Sequence, residues 1–274
     1  MSVTITQVDA FTDRPFRGNP AAVCVLEEDV ADTWMRDVSA EMNVSETAFL
    51  RRQGQGAEFQ LRWFSPTVEV DLCGHATLAA AHVLWEDGLV AESDPIRFST
   101  RGGVLVAKRE GERILLDFPA IPVTPVPVSD ALAEAIDSPI VAVGENAMDL
   151  LVEMEDTVHL RSLRPDFQKL RGLSARGIIV TARDIADPVI DFVSRFFCPN
   201  LGIDEDPVTG SAHCALGPYW GAKLGKDRLV GYQASARGGR VGVQLSDDRV
   251  TLAGSAVTVL RGTLLVAPTP PAES

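Results

Sequence analysis

One pattern of residues occurs twice in this sequence, once in each half, and this internal repeat constrains the fold more than any other feature. The first copy consists of Phe64-Ser65-Pro66, Asp71 and Cys73-Gly74-His75-Ala76. The second copy consists of Phe197-Cys198-Pro199, Asp206 and Thr209-Gly210-Ser211-Ala212. An alanine-rich segment typical of a helix follows each copy, and the second copy has three more residues between its phenylalanine and its glycine. Such a repeat predicts a duplicated domain with a cleft between the two halves.

Local patterns predict short strands that alternate with helices. Runs such as "VTITQVDAF" and "AEFQLRWF" alternate between apolar and polar residues, as strands with one buried face do. The segment "ADTWMRDVSAEMN" instead follows a helical period, with Met35, Val38 and Met42 on one face. In this helix Asp32 is the expected N-cap, and Asn43 is the expected end.

A proline-rich stretch separates the two halves of the chain. The prolines of "FPAIPVTPVPVSD" are too dense for a helix or a central strand, so residues 119–128 are predicted to be a linker. This linker would join an N-terminal domain, residues 1–118, to a C-terminal domain, residues 129–257, which opens with a helix from about Ser129. Residues 269–274 are predicted to be a disordered tail.

Charge and composition exclude several classes of function. A net charge of −13 opposes binding to nucleic acid or to an anionic membrane. The first residues lack the basic and apolar regions of a signal peptide, and no apolar run approaches the ~20 residues of a membrane helix. The few cysteines are expected to be reduced thiols in a cytoplasmic protein; they are Cys24, Cys73, Cys198 and Cys214.

The two repeated segments are candidate anion sites. A glycine at a helix start leaves backbone N–H groups unpaired, and these donors add to the positive end of the helix dipole. Two such starts, at Gly74 and Gly210, would hold a small carboxylic acid from both sides of the predicted cleft. The alternative is that both glycines merely permit tight turns, with Thr209 and Ser211 as helix caps.

Metal binding and paired-thiol chemistry are less consistent with the sequence. His75 and His82 lie seven positions apart, His213 is distant, and neither HExxH nor CxxC spacing occurs, so no metal site is predicted. Cys73 could be an activated thiol because a helix N-terminus lowers the pKa of a cysteine. The second copy has Thr209 at the equivalent position, however, and a hydroxyl is a poor base.

Glu46 is a further acid–base candidate. It lies in "EMNVSETAFL", between Ser45 and Thr47, where the first helix ends and an apolar strand begins. A charged residue at the start of a buried strand is costly unless it is exposed or used. The pattern leaves two interpretations open, a proton-transferring carboxylate or a solvated acid at a loop tip.

Four motifs, between residues 15 and 220, resemble the PhzF (phenazine-biosynthesis-like) family of the diaminopimelate-epimerase superfamily. They are "PFRGNPAAV", "NVSETAFL", "DLCGHATLAAAHVL" and "DEDPVTGSAHCALGPYW", in the family's order. The resemblance implies an α+β fold of two similar domains, each a curved, barrel-like antiparallel sheet around a central helix, with the ligand between them. It implies that residues from about 258 to 268 return to the N-terminal domain, and that the protein is a homodimer.

The resemblance also implies an activity and assigns roles to residues. Family members are cofactor-free isomerases that move a proton on a small carboxylic acid. The catalytic glutamate of the family matches Glu46, its histidine matches His75 and its aspartate matches Asp206. The implied substrate-binding set is Gly18, Asn19, Ser45, Cys73, Gly74, Thr209, Gly210 and Ser211. Glu46 would transfer the proton, while His75 and Asp206 would bind or protonate polar groups of the substrate.

Two other functions remain open on this reading. One is a thiol-dependent epimerase or racemase of an amino or hydroxy acid, with Cys73 as the reactive group. In the epimerase branch of the superfamily both equivalent positions are cysteine, and the pairing of Cys73 with Thr209 departs from that pattern. The other alternative is a non-catalytic protein that binds a small metabolite in the same cleft.

Overall fold

The fold consists of two compact units. The computed structural model describes residues 2–271. Unit 1 takes in the chain up to Asp117 and again from Ala253, whereas unit 2 runs from Phe118 to Leu252. Of the predicted disordered tail, residues 272–274 lie outside the described residues. Within the described part of that tail, the carbonyl of Thr269 accepts a hydrogen bond of 2.7 Å from the backbone N–H of Ala31.

From Ile140 onward, the strands and the central helix of unit 2 follow one another in the order of those of unit 1. The first segment of unit 1 forms β1 (Val3–Ala10), β2 (Asn19–Leu26), α1 (Asp32–Met42), β3 (Glu46–Arg52), β4 (Glu58–Phe64), β5 (Glu69–Val70), α2 (Gly74–Glu86), β6 (Ile96–Thr100), β7 (Gly103–Glu110) and β8 (Arg113–Pro119). Unit 2 then forms β9 (Thr124–Val126), α3 (Asp130–Ile136), β10 (Ile140–Glu145), β11 (Asp149–Met154), α4 (Thr157–Ser162), α5 (Phe167–Arg171), β12 (Gly177–Arg183), β13 (Phe192–Cys198), β14 (Ile203–Asp206), α6 (Gly210–Leu224), β15 (Arg228–Gln233), β16 (Gly239–Ser246) and β17 (Arg249–Gly254). The chain returns to unit 1 as β18 (Ala256–Leu264).

Strand pairing repeats between the two units. In unit 1, β1 pairs with β18 and β2, β2 with β3, β3 with β4, β4 with β5 and β6, and β6 with β7. In unit 2, β10 pairs with β9 and β11, β11 with β12, β12 with β13, β13 with β14 and β15, and β15 with β16. The duplication predicted from the sequence is therefore confirmed, strand by strand.

The predicted α+β class is confirmed, but the pairing is mixed rather than wholly antiparallel. The pairs β2–β3, β4–β6, β11–β12 and β13–β15 are parallel. In each of these pairs at least one helix lies in the connection between the two strands. A parallel pair needs such a crossover because the chain must return to the same end of the sheet, whereas a short hairpin produces an antiparallel pair. The resemblance implied antiparallel sheets, and that expectation did not take into account the crossovers that these helices provide.

The proline-rich stretch predicted as a linker belongs to unit 2. Within it, β9 pairs with β10, and Pro125 lies opposite Gly144. The backbone N–H of Ile121 also donates to the carbonyl of Cys214 in α6. Proline is tolerated in such a short strand where its missing N–H would not be needed for the ladder. Density of proline excluded a helix here but did not exclude a strand.

Helix α1 agrees with its prediction at one end and differs at the other. Asn43 adopts a left-handed conformation and ends the helix, as expected. Asp32 is not the N-cap; that position is held by Ala31, and Asp32 is the first residue of the helix. Its carboxylate instead lies 2.7 Å from the guanidinium of Arg62. The capping rule identified the correct turn but the wrong residue, since Arg62 competes for the same carboxylate.

Helices α2 and α6 are the buried central helices of their units. Eleven of the 13 residues of α2 are buried, as are nine of the 15 residues of α6. A helix that is apolar on all sides must be surrounded by protein, and in these helices alanine and glycine allow the strands to pack closely. Their first residues are therefore held in fixed positions. Among the described residues 2–271, no helix has both the length and the apolar character to cross a membrane.

Leu78→Ala tests the structural role of α2. Leu78 is fully buried in the middle of this helix, so truncation should leave a cavity and lower the free energy of unfolding by about 2–5 kcal/mol. Urea unfolding measures the change. The control is Leu265→Ala, at a leucine that is 96% exposed, which should alter stability by less than about 0.5 kcal/mol. Equal stability of the two variants would contradict a central role for α2.

Candidate active site

Seven of the predicted site residues lie together in unit 1. Three of them begin or precede strands: Asn19 is the first residue of β2, Ser45 precedes β3, and Glu46 is the first residue of β3. Cys73 precedes α2, which begins with Gly74 and His75. Gly18 precedes Asn19. Parallel pairing of β2 with β3 places Ala21 opposite Glu46, so the beginnings of these two strands lie at the same edge of the sheet.

The carboxylate of Glu46 faces the imidazole of His75. Glu46 Oε2 lies 3.1 Å from His75 Nε2, with only 5% of the histidine side chain and 17% of the glutamate side chain exposed. Glu46 Oε2 itself is inaccessible to solvent and accepts no properly oriented hydrogen bond from the described residues. A buried carboxylate oxygen without such a bond is costly, and this cost is characteristic of functional sites.

Interactions with its neighbours raise the pKa of His75. Burial alone would lower that pKa, but the nearby Cys73 and Glu46 outweigh burial and hold the pKa well above its ordinary value. The protonated form of His75 is therefore favoured relative to that of a free imidazole.

Asn19 connects the imidazole to Ser45. Its Nδ2 lies 3.2 Å from His75 Nδ1, and its Oδ1 accepts a hydrogen bond of 3.0 Å from Ser45 Oγ. This orientation of the amide suits a neutral imidazole, since two donors would meet if Nδ1 carried a proton. An imidazolium requires the amide to turn over, so that Oδ1 accepts from His75 and Nδ2 donates to Ser45. Asn19 can thus serve both protonation states of His75 without moving its backbone.

Cys73 is a protonated thiol in this environment. Its Sγ lies 3.5 Å from His75 Nδ1. Burial, followed by the charge of Glu46, raises the pKa of the Cys73 thiol to about 11. The expectation that the helix start would lower this pKa is not met, because loss of hydration outweighs the helix dipole here. A thiolate at Cys73 is therefore a minor species at neutral pH.

Gly18 has a structural reason to be glycine. Its φ is +64°, and a Cβ built on it would come within 2.1 Å of the carbonyl oxygen of Ala10. No other residue fits that conformation and that space. The turn at Gly18 delivers Asn19 to the start of β2, from which its amide reaches His75.

The other predicted site residues lie together in unit 2, around the start of α6. The hydroxyl of Thr209 donates to Asp206 Oδ2, and the backbone N–H of Thr209 donates to Gln233 Oε1 at 2.9 Å. The Nε2 of Gln233 donates in turn to the carbonyl of Asp206 at 2.8 Å. Gln233 is fully buried, so its amide holds the strand and the helix start in one arrangement.

Arg176 also reaches the start of α6. Its guanidinium makes two hydrogen bonds, of 2.9 and 2.6 Å, to the buried carboxylate of Asp149, and a third of 3.0 Å to Ser211 Oγ. The bidentate pair fixes the guanidinium plane. Its Nη1 makes no hydrogen bond or ion pair with the described part of the chain, and 31% of the side chain is exposed. This arginine supplies a cationic group beside the helix start.

His213 lies one turn into α6 but offers no chemistry to either set of residues. Its Nδ1 lies 2.8 Å from the carbonyl of Thr209, four residues earlier. In unit 1 the equivalent residue, Thr77, donates from its hydroxyl to the carbonyl of Cys73. Burial lowers the pKa of His213 to about 4, so this histidine is neutral. His213 and Thr77 thus play the same structural part: each bonds the backbone carbonyl four residues earlier, in the first turn of its helix.

The strand register shows which residues of the two repeats correspond. Phe64 of β4 lies opposite Thr47 of β3, and its repeat, Phe197 of β13, lies opposite Ile178 of β12. The residue before each of these positions is the first residue of β3 or β12. The starts of these two strands are therefore equivalent positions of the duplicated fold.

The equivalent positions carry different chemistry. Unit 1 has Ser45 and Glu46 where unit 2 has Arg176 and Gly177. At Gly177 a Cβ would lie 2.2 Å from the ring of Phe196, so unit 2 has no room for a carboxylate there. The carboxylate belongs to unit 1, and the guanidinium belongs to unit 2.

Sequence reasoning missed Arg176, Asp149 and Gln233. A signal for Arg176 was present, since "ARGIIV" places a charged residue just before an apolar strand, as "SETAFL" does for Glu46. Asp149 and Gln233 have no such signal. Gln233 bonds the helix start directly, whereas Asp149 acts through Arg176, and both lie on strands far from α6 in sequence. Only the fold reveals these contacts.

Comparison with known proteins gives a consistent assignment. Residues 8–262 match the PhzC-PhzF family, described as phenazine biosynthesis-like protein. A protein of Halalkalibacterium halodurans, named as an uncharacterized isomerase, is 49% identical over 97% of this chain and 100% of its own length. A crystal structure of a PhzF-family protein of Enterococcus faecalis shares 40% identity and a TM-score of 0.92, over 97% of this chain and 100% of that one.

A more distant likeness supports the fold alone. A probable proline racemase of Agrobacterium radiobacter is 10% identical and has a TM-score of 0.66, over 97% of this chain and 94% of its own. Fold, repeat and motifs thus define a protein with the diaminopimelate-epimerase-like fold. Among such proteins, this chain belongs to the PhzC-PhzF family, as the four motifs indicated. The isomerase names of its relatives favour an isomerase.

Gln233→Met tests whether the amide organises the start of α6. The substitution keeps the length of the side chain but leaves the N–H of Thr209 and the carbonyl of Asp206 unpaired. The free energy of unfolding should fall by at least about 1–3 kcal/mol, the cost of one unpaired buried polar group. Urea unfolding checks this value. Gln168→Met, on the surface of the same unit, should have little effect; a similar loss in both variants would argue against the network.

Proposed function

We propose that this protein is a cofactor-independent isomerase that shifts a proton on a small carboxylic acid, with Glu46 as the general acid and base. One observation carries the proposal: a buried carboxylate oxygen that lies 3.1 Å from a buried imidazole and lacks a properly oriented hydrogen bond within the described chain. The isomerase names of relatives agree with it. Cytoplasmic location and a homodimer remain part of the proposal.

In the proposed reaction, Glu46 takes up one proton and returns the same number. Its carboxylate accepts a proton from a carbon next to a carbonyl or an alkene, and the electron pair of that C–H bond moves into the unsaturated system. The resulting carboxylic acid returns the proton to a different carbon of the same substrate. No proton, electron or group is gained or lost overall, so the reaction needs no co-reactant.

His75 would stabilise charge during this transfer. Its Nε2 lies 3.1 Å from the carboxylate oxygen that would accept the proton. It also offers a proton to an oxygen of the substrate that becomes negative in the transition state. The N–H groups at the start of α2 act in the same sense, because they are already oriented and need no reorganisation.

The residues of unit 2 would bind the anionic part of the substrate. The proposed carboxylate donors are the starts of α2 and α6, together with Ser211 and Thr209, and Asp206 would bind a polar group. Asp149 balances the charge of Arg176, so Arg176 would act here as an oriented hydrogen-bond donor, through its Nη1, to an oxygen of the substrate. The two hydrogen bonds from Arg176 to Asp149 support this role, because they fix the direction of the guanidinium.

The thiol-dependent alternative has less support. A base at Cys73 would have to be a thiolate, and burial raises the pKa of this thiol to about 11. Thr209, at the equivalent position, donates its proton to Asp206 rather than acting as a base. The other alternative is a protein that binds a metabolite without converting it. A ligand would raise the melting temperature of such a protein and would be recovered unchanged.

Exchange of carbon-bound protons in D₂O tests the role of Glu46. Small carboxylic acids with a C–H beside a carbonyl or alkene are incubated with the protein and followed by proton NMR. We expect at least one acid to exchange, and Glu46→Gln to slow that exchange by about 10²- to 10⁴-fold, the usual contribution of a general base. Gln keeps the size of the side chain but cannot accept the proton.

The matched control is Glu58→Gln, at an exposed glutamate that begins β4 of the same unit. It should exchange at the wild-type rate. Exchange that is equally fast in Glu46→Gln would rule out Glu46 as the base. Loss of exchange in Cys73→Ser together with full exchange in Glu46→Gln would instead favour the thiol mechanism.

Arg176→Lys tests the proposed anion site. Lysine keeps the charge but loses the planar fork that contacts Asp149 and Ser211. For an acid that the protein converts, kcat/KM should fall by about ten- to a hundredfold, mainly through KM, because binding is affected more than proton transfer. Steady-state kinetics measure the split. Arg183→Lys, at an exposed arginine that ends β12, is the control, and a fall in kcat at unchanged KM would contradict the assignment.

A further inference from the structure

Three different metal-ligand types meet in unit 1. Glu46, Cys73 and His75 each offer one donor atom, and these atoms all lie within 4.8 Å of one another. Cys73 and His75 are buried, and Glu46 is partly exposed. In the described chain, residues 2–271, no other group of three or more such residues meets this criterion. Sequence spacing argued against a metal because it could not reveal that β3 brings Glu46 to the start of α2.

We propose that Glu46, Cys73 and His75 form a binding site for Zn²⁺. A thiolate, an imidazole and a carboxylate together favour zinc over magnesium or calcium, which prefer oxygen donors alone. The net charge of −13 also favours the approach of cations. The carboxylate of Glu46, as the partly exposed donor, is where an entering ion would first make contact.

The distances are close to those of a tetrahedral zinc site. Bonds of about 2.3 Å to sulfur and about 2.0 Å to nitrogen and oxygen give contacts of about 3.5 Å for N···S and about 3.3 Å for N···O at the tetrahedral angle. His75 Nε2 lies 3.9 Å from Cys73 Sγ and 3.1 Å from Glu46 Oε2. Cys73 Sγ lies nearer to Nδ1, at 3.5 Å, so the imidazole must also rotate to turn its Nε2 lone pair toward the sulfur. The fourth ligand would be water or solute.

Asn19 completes the coordination chemistry. Zinc requires a thiolate at Cys73 and an unprotonated Nε2 at His75, so binding releases the thiol proton and the Nε2 proton to solvent. The remaining proton on His75 Nδ1 then needs an acceptor. Asn19 Oδ1 becomes that acceptor when the amide turns over and its Nδ2 donates to Ser45. Ligating histidines commonly use their second nitrogen in this way.

Zinc at this site would inhibit the proposed reaction. It would occupy the oxygen of Glu46 that accepts the substrate's proton, and remove the proton that His75 offers. The inhibition therefore rests on the proposed function, whereas metal binding does not. The metal in this proposal is an inhibitor and not a cofactor.

Binding of Co²⁺, which shares the coordination preferences of zinc but absorbs light, tests the site in the absence of substrate. The metal-free protein is titrated with Co²⁺ and then with Zn²⁺, under reducing conditions. We expect a near-ultraviolet thiolate-to-cobalt absorption that Zn²⁺ abolishes. Cys73→Ser should lose that absorption and bind Zn²⁺ at least tenfold more weakly in calorimetry, and Glu46→Gln should also weaken Zn²⁺ binding. Circular dichroism establishes that each variant is folded.

Cys24→Ser is the matched control, since Cys24 is a buried thiol of the same unit and does not belong to the cluster. It should keep the cobalt absorption and the affinity of the wild type. Absence of the absorption in the wild type, or equal affinity in Cys73→Ser, would overturn the proposal. Proton exchange by the metal-free protein decides the proposed function separately: exchange without any metal binding refutes only the site, and metal binding without exchange refutes only the function.

Discussion

The contact between the Glu46 carboxylate and the His75 imidazole is the interaction on which the arrangement of unit 1 depends. Burying a carboxylate at the first residue of a strand costs free energy unless a group of opposite charge faces it, and the imidazole of His75, whose pKa is raised, lies 3.1 Å away. The parallel pairing of β2 with β3 brings Asn19 to the same edge, and the glycine turn before it allows the amide to reach the imidazole. Removal of either charge would leave the other buried without a partner.

Duplication supplied two copies of this framework, and the copies have diverged in chemistry while keeping their strand pairing. A carboxylate begins β3, whereas its counterpart β12 begins with a glycine packed against Phe196. The arginine before β12 is held by a buried aspartate. At the helix starts, Cys73 and His75 correspond to Thr209 and Ser211. Unit 1 thus has the acid–base groups, and unit 2 has the guanidinium and the hydroxyl groups.

Local features of this structure were predictable from the sequence, and contacts between distant segments were not. The repeat, the central helices and the end of α1 at Asn43 follow from periodicity and turn chemistry, which act over a few residues. Glu46 was identifiable as a charge before an apolar strand. Its distance to His75 was not, nor were the parallel pairs, the strand β9 or the contacts of Asp149 and Gln233. These depend on which strands pair, and the sequence pattern carries no direct record of that choice.

The most direct test of the account is the ionisation of His75, because the proposed role of Glu46 requires an imidazolium beside it. Nitrogen-15 NMR of labelled histidines, followed against pH, measures this ionisation, and His75→Asn assigns the signal. We predict that His75 keeps its proton well above pH ~6.5, the ordinary histidine value, and that its pKa falls in Glu46→Gln. His82 and His213 should titrate below that value. A wild-type His75 that titrates at or below pH ~6.5 would contradict the account.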